Sequence, residues 1–159
     1  MAKLEDQKLV KELLDIGLIT KDRLIKIQEI AKQTLETDGI TKTLLKNLDL
    51  DEDKLAEIIA KTFNVPYLQE LNGLSCVSVP GLSKSDFVLK FKMIPIIIDN
   101  NEITLATINP PYQNILELIQ KMTNLHLVPV ILSASLYDRL VESIVKDVKL
   151  SKAIKIDFE

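Results

Sequence analysis

No apolar run in this chain approaches the ~18–20 residues that a membrane-spanning helix needs, and its Lys- and Glu-rich start lacks the apolar segment of a secretory signal. The expectation is a cytosolic chain with no direct membrane insertion. A single cysteine, Cys76, excludes an internal disulfide and agrees with a reducing compartment. With only two arginines, Arg23 and Arg139, and a net charge of -3, the chain lacks the basic footprint of a nucleic-acid binder. The four glycines, Gly17, Gly39, Gly73 and Gly81, nowhere form the glycine-rich phosphate loop that ends in Lys-Ser/Thr, so no ATP hydrolysis is expected of these residues. The one histidine, His126, has neither a second histidine for a metal pair nor a nucleophile to serve, and reads as structural or surface. Asp49, Asp51 and Asp53 have the spacing that begins a calcium loop. Lys54 stands at the loop's glycine position and Ala60 at its closing glutamate, so these acids read as helix-start residues instead. No catalytic residue, metal or cofactor is expected, and the chain reads as a non-enzyme.

What is present is an ordinary globular composition, 47% hydrophobic and 27% charged over 159 residues, enough for one domain or two small subdomains sharing a core. From Asp6 to Ile16, Leu9, Val10, Leu13, Leu14 and Ile16 fall on one side of a helix, and Gly17 is placed to end it in a left-handed cap. Thr20 then caps a second helix carrying Leu24, Ile27, Ala31 and Leu35. The pattern recurs in Ile40, Leu44, Leu45 and Leu48, then Asp51 followed by Leu55, Ile58, Ile59 and Phe63. Placing Thr20 over Asp51 sets Leu13-Leu14 over Leu44-Leu45 and Leu24 over Leu55, an internal duplication at a spacing of 31 residues. Neither hairpin can cover its own apolar face, so the two are expected to pack together.

Asn64-Val65-Pro66 closes this helical half, because the residue before a proline is driven out of helical geometry. Tyr67 to Leu71 reads as extended, and the Gly-, Ser- and Pro-rich 72–82 as a connection. Ser83 and Asp86 have capping-box spacing for a short helix to about Phe91. Met93 to Asn109 reads as a hairpin turning at Asn100-Asn101, and a helix follows from Pro111 to Met122. A third strand spans His126 to Leu132, and a last helix is capped by Ser135 with Asp138. Strand, helix and strand have the length of a parallel crossover. The fold class is therefore α+β, a four-helix subdomain over residues 1–66 and a three-stranded mixed sheet with helices over 67–148. Residues 149–159 form a tail or linker whose Ile154, Ile156 and Phe158 alternate as in a strand.

The duplicated pattern Leu13-Leu14-Asp15-Ile16-Gly17-Leu18-Ile19-Thr20-Lys21-Asp22-Arg23-Leu24 is followed by Phe63-Asn64-Val65-Pro66-Tyr67, Ile94-Pro95 and Ala106-Thr107-Ile108-Asn109-Pro110. In order and spacing this resembles the amino-terminal domain of the type II secretion and type IV pilus assembly ATPases, the secretion E-protein family. The resemblance covers roughly Gln7 to Lys146. It implies a non-motor domain that precedes an ATPase core and docks on the cytoplasmic part of an inner-membrane platform protein, which would place it at the membrane only through a partner. In some members the duplicated hairpins bind cyclic di-GMP through a motif that starts Arg-Leu-Gly.

Here the corresponding positions hold Lys8-Leu9-Val10 and Gly39-Ile40-Thr41, and Leu48 replaces Gly17 in the second copy. The closing glutamine of each copy is replaced by Ala31 and Thr62, leaving only the shifted Gln28 and Gln33. Lysine lacks the planar fork of arginine, and Val10 adds a branched side chain where the family has none. Docking therefore ranks first and a cyclic di-GMP receptor second, with a small enzyme third. The positions carried over for cyclic di-GMP are Lys8, Leu9, Leu13, Leu14, Gly17, Leu18 and Leu24, and the leucines among them are equally explained as hairpin core.

Overall fold

The computed structural model describes residues 3–144 and, for 30–38, the helical backbone alone. Helix α1 (Leu4–Asp15) starts with Glu5 and Asp6 in the favourable field of its amino terminus. It ends in a Schellman turn, with Leu18 N–H on the Leu13 carbonyl (3.0 Å), Gly17 N–H on Leu14 (3.1 Å) and Gly17 at φ 78°. Helix α2 (Lys21–Asn47) opens on Thr20, whose hydroxyl accepts the Arg23 N–H at 3.3 Å. Gly39 breaks it into two limbs. Helix α3 (Glu52–Thr62) is capped by Asp51 and closes in a second Schellman turn, at Asn64 (φ 55°), with Val65 N–H on the Ala60 carbonyl at 2.9 Å. The duplicated positions coincide in role. Thr20 and Asp51 are both caps, and Leu13 and Leu44 both lie in one core with Leu9, Leu55 and Ile59. Where Leu48 replaces the glycine, the chain turns through extended backbone and buries the leucine instead.

Strands β1 (Ile94–Asp99) and β2 (Glu102–Thr107) pair antiparallel from Ile94↔Ala106 to Asp99↔Glu102, turning at Asn100 in left-handed backbone (φ 52°). A bulge at Ile96 bends β1. Strand β3 (His126–Ile131) runs parallel to β2, from Glu102↔His126 to Thr107↔Ile131, so the sheet is mixed with β2 in the centre. Helix α5 (Gln113–Thr123) makes the crossover. It buries Ile119 with Ile103, Leu105, Phe87 and Phe91 on one face of the sheet. On the other face Ile94, Ile96, Ala106 and Val130 meet Tyr137, Leu140 and Ile144 of a last helix, α6, described over residues 134–144. The outer edge of β3 is taken by the chain leaving α3, through Leu68 N–H on the Ile131 carbonyl and Ile131 N–H on the Pro66 carbonyl, each 2.9 Å. Ile131 itself belongs to the helical core. The result is the α+β architecture expected, four helical limbs against a three-stranded mixed sheet.

Three expected boundaries move. The crossover helix starts at Gln113 rather than Pro111, because Tyr112 stays extended (φ -72°, ψ 120°) while its ring is anchored in the interior. The cap of α6 is Ser133 and not Ser135: Ser133 Oγ accepts the Leu136 N–H (3.4 Å), whereas Ser135 turns its hydroxyl to Glu52 on α3. The capping box at Ser83 and Asp86 forms, but its helix, α4 (Lys84–Asp86), widens at once into a π turn, Phe87–Phe91. The wide turn brings both phenyl rings to the core edge-to-face, 5.7 Å apart. Ile154 to Phe158 and the rest of the tail lie outside the described residues.

The helical limbs are joined to the sheet by a buried polar junction. Asn109 Oδ1 accepts the Thr41 N–H (3.1 Å), and Thr41 Oγ1 donates to the Ile108 carbonyl (2.5 Å). Thr107 Oγ1 accepts the Asn109 N–H (3.1 Å) and donates to the Lys92 carbonyl (3.0 Å). Gly39, at φ 83° and ψ 165°, occupies backbone space that essentially only glycine tolerates. A Cβ there would lie 2.9 Å from the Asn109 amide. Gly39→Ala is therefore expected to cost about 3 kcal/mol, strain and overlap combined. Gly73→Ala, at φ 80° but with open space around it, is expected to cost about 1 kcal/mol. Urea unfolding of both variants checks this, and equal losses would contradict the role of the Asn109 contact.

Candidate cleft between the first helix and the crossover helix

The amino-terminal turn of α1 lies against the amino-terminal turn of α5. Lys3 Nζ stands 4.1 Å from the centroid of the Tyr112 ring. Glu5 Oε2 accepts the Gln113 N–H at 3.1 Å, supplying a carboxylate to a free amide of the α5 terminus. Asp6 is 5% exposed and accepts the Tyr112 hydroxyl at 2.5 Å. Burial drives the Asp6 carboxyl above the usual aspartate range; the Tyr112 hydrogen bond and nearby Lys3 pull the other way, and Glu5 adds to the rise. The Tyr112 hydroxyl is pushed far above its ordinary value, first by burial and then by Asp6.

Beside this contact opens a cleft of about 410 Å³, walled by Leu4, Lys8, Phe63, Val65, Leu116 and Pro129. Lys8 Nζ lies over the Phe63 ring, 5.3 Å from its centroid, which leaves a cation and an aromatic face at the mouth of an apolar cleft. A second groove, about 420 Å³, runs between the end of α1 and α3. It is lined by the apolar Ile16, Leu18 and Ile58 together with the charged Glu12, Lys54, Glu57 and Lys61. Near the start of α3, Tyr67 donates to Asp53 Oδ1 (3.2 Å), and its hydroxyl is pushed up to about 12 by burial and by that carboxylate.

The seven positions carried over from the family motif are not gathered into one opening. Lys8 borders the first cleft and Leu18 the second. Leu9 and Leu13 are fully buried, and Leu14, Leu18 and Leu24 are half-buried against the same core, so the five leucines form one apolar cluster. Any part Leu9 and Leu13 play in binding is support from behind the surface. Gly17 faces open space. Asp6, Tyr112 and Asn109 were missed by sequence reasoning. Asp6 did leave a signal, a carboxylate at the i, i+3, i+7 stripe shared with Leu9 and Leu13. Its partner lies 106 residues away and left none. His126 is exposed, and Asp51 and Asp53 serve as helix cap and hydrogen-bond partner. Among the described residues no group of three or more His, Cys, Asp or Glu side chains could hold a metal ion, and no helix is long and apolar enough to cross a membrane.

The fold is found in solved structures. The amino-terminal domain of XpsE superposes with a TM-score of 0.66 at 20% identity, covering 89% of this chain and 96% of that domain. A second crystal form of that domain gives 0.53. MshE with cdg gives 0.62 at 18% identity, covering 87% of this chain and 96% of the other. Residues 63–148 match the MshEN domain, more than half of the chain. No curated protein matches the chain. The class defined is an amino-terminal domain of the kind carried by secretion and pilus-assembly ATPases, and the matches are to such domains and not to a catalytic core. The chain belongs to the MshEN domain family.

The Asp6 contact has a pH signature. Because its folded-state carboxyl titrates above its unfolded value, the folded chain binds the proton more tightly, and the Asp6 contribution to stability falls as pH rises from about 4 through the raised value. Asp6→Asn keeps an acceptor for Tyr112 and removes the charge. It is expected to match or exceed the parent in stability at pH 7, within about 1 kcal/mol. The stability difference between the two chains should narrow or reverse towards pH 4. Parallel stability curves over this range would rule the assignment out.

Proposed function

We propose that this chain is a non-catalytic docking and regulatory domain of a secretion or type IV pilus assembly ATPase, and that it binds the cytoplasmic part of an inner-membrane platform protein. The observation that carries this reading is membership of the MshEN family together with a fold that spans 96% of the XpsE amino-terminal domain. The α1–α3 groove supports it, since a lining that combines apolar side chains with acids and bases suits an amphipathic partner helix. We read residues 1–66 as the partner-facing subdomain and 67–148 as its scaffold, in a cytoplasmic protein held at the inner membrane only through that partner. Co-purification with the platform protein's cytoplasmic domain tests the reading. Glu57→Lys with Lys61→Glu is expected to weaken capture at least about 10-fold, a loss of about 1.4 kcal/mol. Absence of binding to every platform protein of the source genome would sink it.

The second reading is a cyclic di-GMP receptor. The likeness to MshE with cdg favours it, as does Lys8 above the Phe63 ring at the mouth of an apolar cleft. Its candidate contacts are Lys8, Leu14, Gly17, Leu18 and Leu24, with Leu9 and Leu13 behind them. Calorimetry should show heat on addition of cyclic di-GMP and a weaker affinity for Lys8→Ala. A flat titration at several hundred micromolar ligand, on the order of the weakest affinity worth assigning, removes it.

A further inference from the structure

We propose that residues 153–158 add as a fourth strand to the outer edge of β1 in the same chain, with Ile154, Ile156 and Phe158 on the α6 face of the sheet. Three observations converge. The first is the edge itself. The sheet runs β1–β2–β3, and the chain leaving α3 closes its β3 side through Pro66 and Leu68. The β1 side is met only at Pro95, whose carbonyl accepts the Val77 N–H at 2.8 Å; among the described residues no backbone hydrogen bond from outside the sheet reaches β1 beyond that point. The open end carries Ile97 and Ile98, 42% and 39% exposed. An apolar strand edge of this kind is a template for pairing, which proteins ordinarily cover or blunt.

The second observation is which face is left open. After the bulge, Ile98 lies opposite Ile103 on the α5 side, and Ile97 lies opposite Thr104, itself paired with Val128, on the α6 side. Helix α6 buries the row of Ala106 and Val130 but leaves the next row, Ile97, Thr104 and Val128, partly exposed. The third is the sequence of the tail, in which Ile154, Ile156 and Phe158 alternate with Lys155, Asp157 and Glu159. As a strand it has one apolar face and one charged face. Beside β1 it would extend the open row, Ile156 next to Ile97, and set Lys155 and Asp157 beside exposed Ile98, where they keep water. The connection reaches: Ile144 of α6 shares an apolar cluster with Ile94 and Ile96 of β1. From there residues 145–153 can span roughly 30 Å, against about 10 Å between layers and about 4.8 Å between strands. A segment tethered so near meets its own edge at an effective concentration on the order of millimolar, which favours it over the tail of a second copy. The inference holds whichever partner the domain binds.

Hydrogen exchange read residue by residue by NMR on the full chain tests it. In the parent chain, alternate amides of 153–158 are expected to exchange at least about 10-fold more slowly than random coil, at every protein concentration. Ile156→Asp puts a charge on the apolar face. It is expected to return these amides to random-coil rates and to speed exchange in β1 from Ile97 to Asp99, with β2 and β3 unchanged. Lys155→Ala, on the other face, should leave the protection as in the parent. The proposal is overturned if 153–158 of the parent exchange at random-coil rates, a result that needs no variant, or if the protected amides run consecutively as in a helix. It is equally overturned if Lys155→Ala removes the protection as fully as Ile156→Asp. Protection that appears only as the chain dimerises in sedimentation would overturn it too, by assigning the edge to a second copy's tail.

Discussion

The hydrogen bonds from Asn109 to the second limb of α2 are the constraint on which the rest of this fold depends. An asparagine leaving the central strand places its side-chain carbonyl on the Thr41 N–H, and the glycine two residues earlier leaves the space it needs. Without that contact the limb would have a free amide in an apolar interior. With it, the limb bearing Leu44 lies between the helical core and the sheet, and Leu45 reaches both. The left-handed kink at Gly39 is thus a property of the junction, not of the helix. Every group in it is neutral and paired, which makes it a rigid joint.

The second contact between the helices and the sheet layer is built differently. Asp6, Tyr112, Glu5 and Lys3 join two helix starts through charge, and the buried carboxylate is retained against its own desolvation. Buried charges of this kind contribute little net stability. Here they specify where α1 rests against the start of α5. The neutral joint at Asn109 and the charged one at Asp6 both tie the helices to the sheet layer, and α1 borders both surface openings.

The second copy of the motif has Leu48 where the first has its turn glycine, and the chain buries that side chain at an extended turn. The first copy has Gly17 at its turn, with Lys8 and Val10 earlier on α1. Lys8 lies over the Phe63 ring as a point charge, without the bidentate fork an arginine would present. The two copies share a fold but not a surface.

The sequence alone determined the local order: amphipathic stripes, the caps at Thr20, Asp51 and Ser83, the turns at Gly17 and Asn100, and the strand–helix–strand crossover. Each of these rests on periodicity or on backbone preferences within a few residues, and the family pattern was legible for the same reason. What the tertiary structure decided are the contacts spanning 67 to 108 residues of chain, Thr41 with Ile108 and Asn109, Asp6 with Tyr112, Glu5 with Gln113. Ser133 rather than Ser135 caps α6 because Ser135 is drawn to Glu52, and α5 begins after Tyr112 because that ring is anchored on α1. A hydrogen-bonding side chain carries no mark of its distant partner. Only packing brings the two together, and only then does burial make the contact strong or costly.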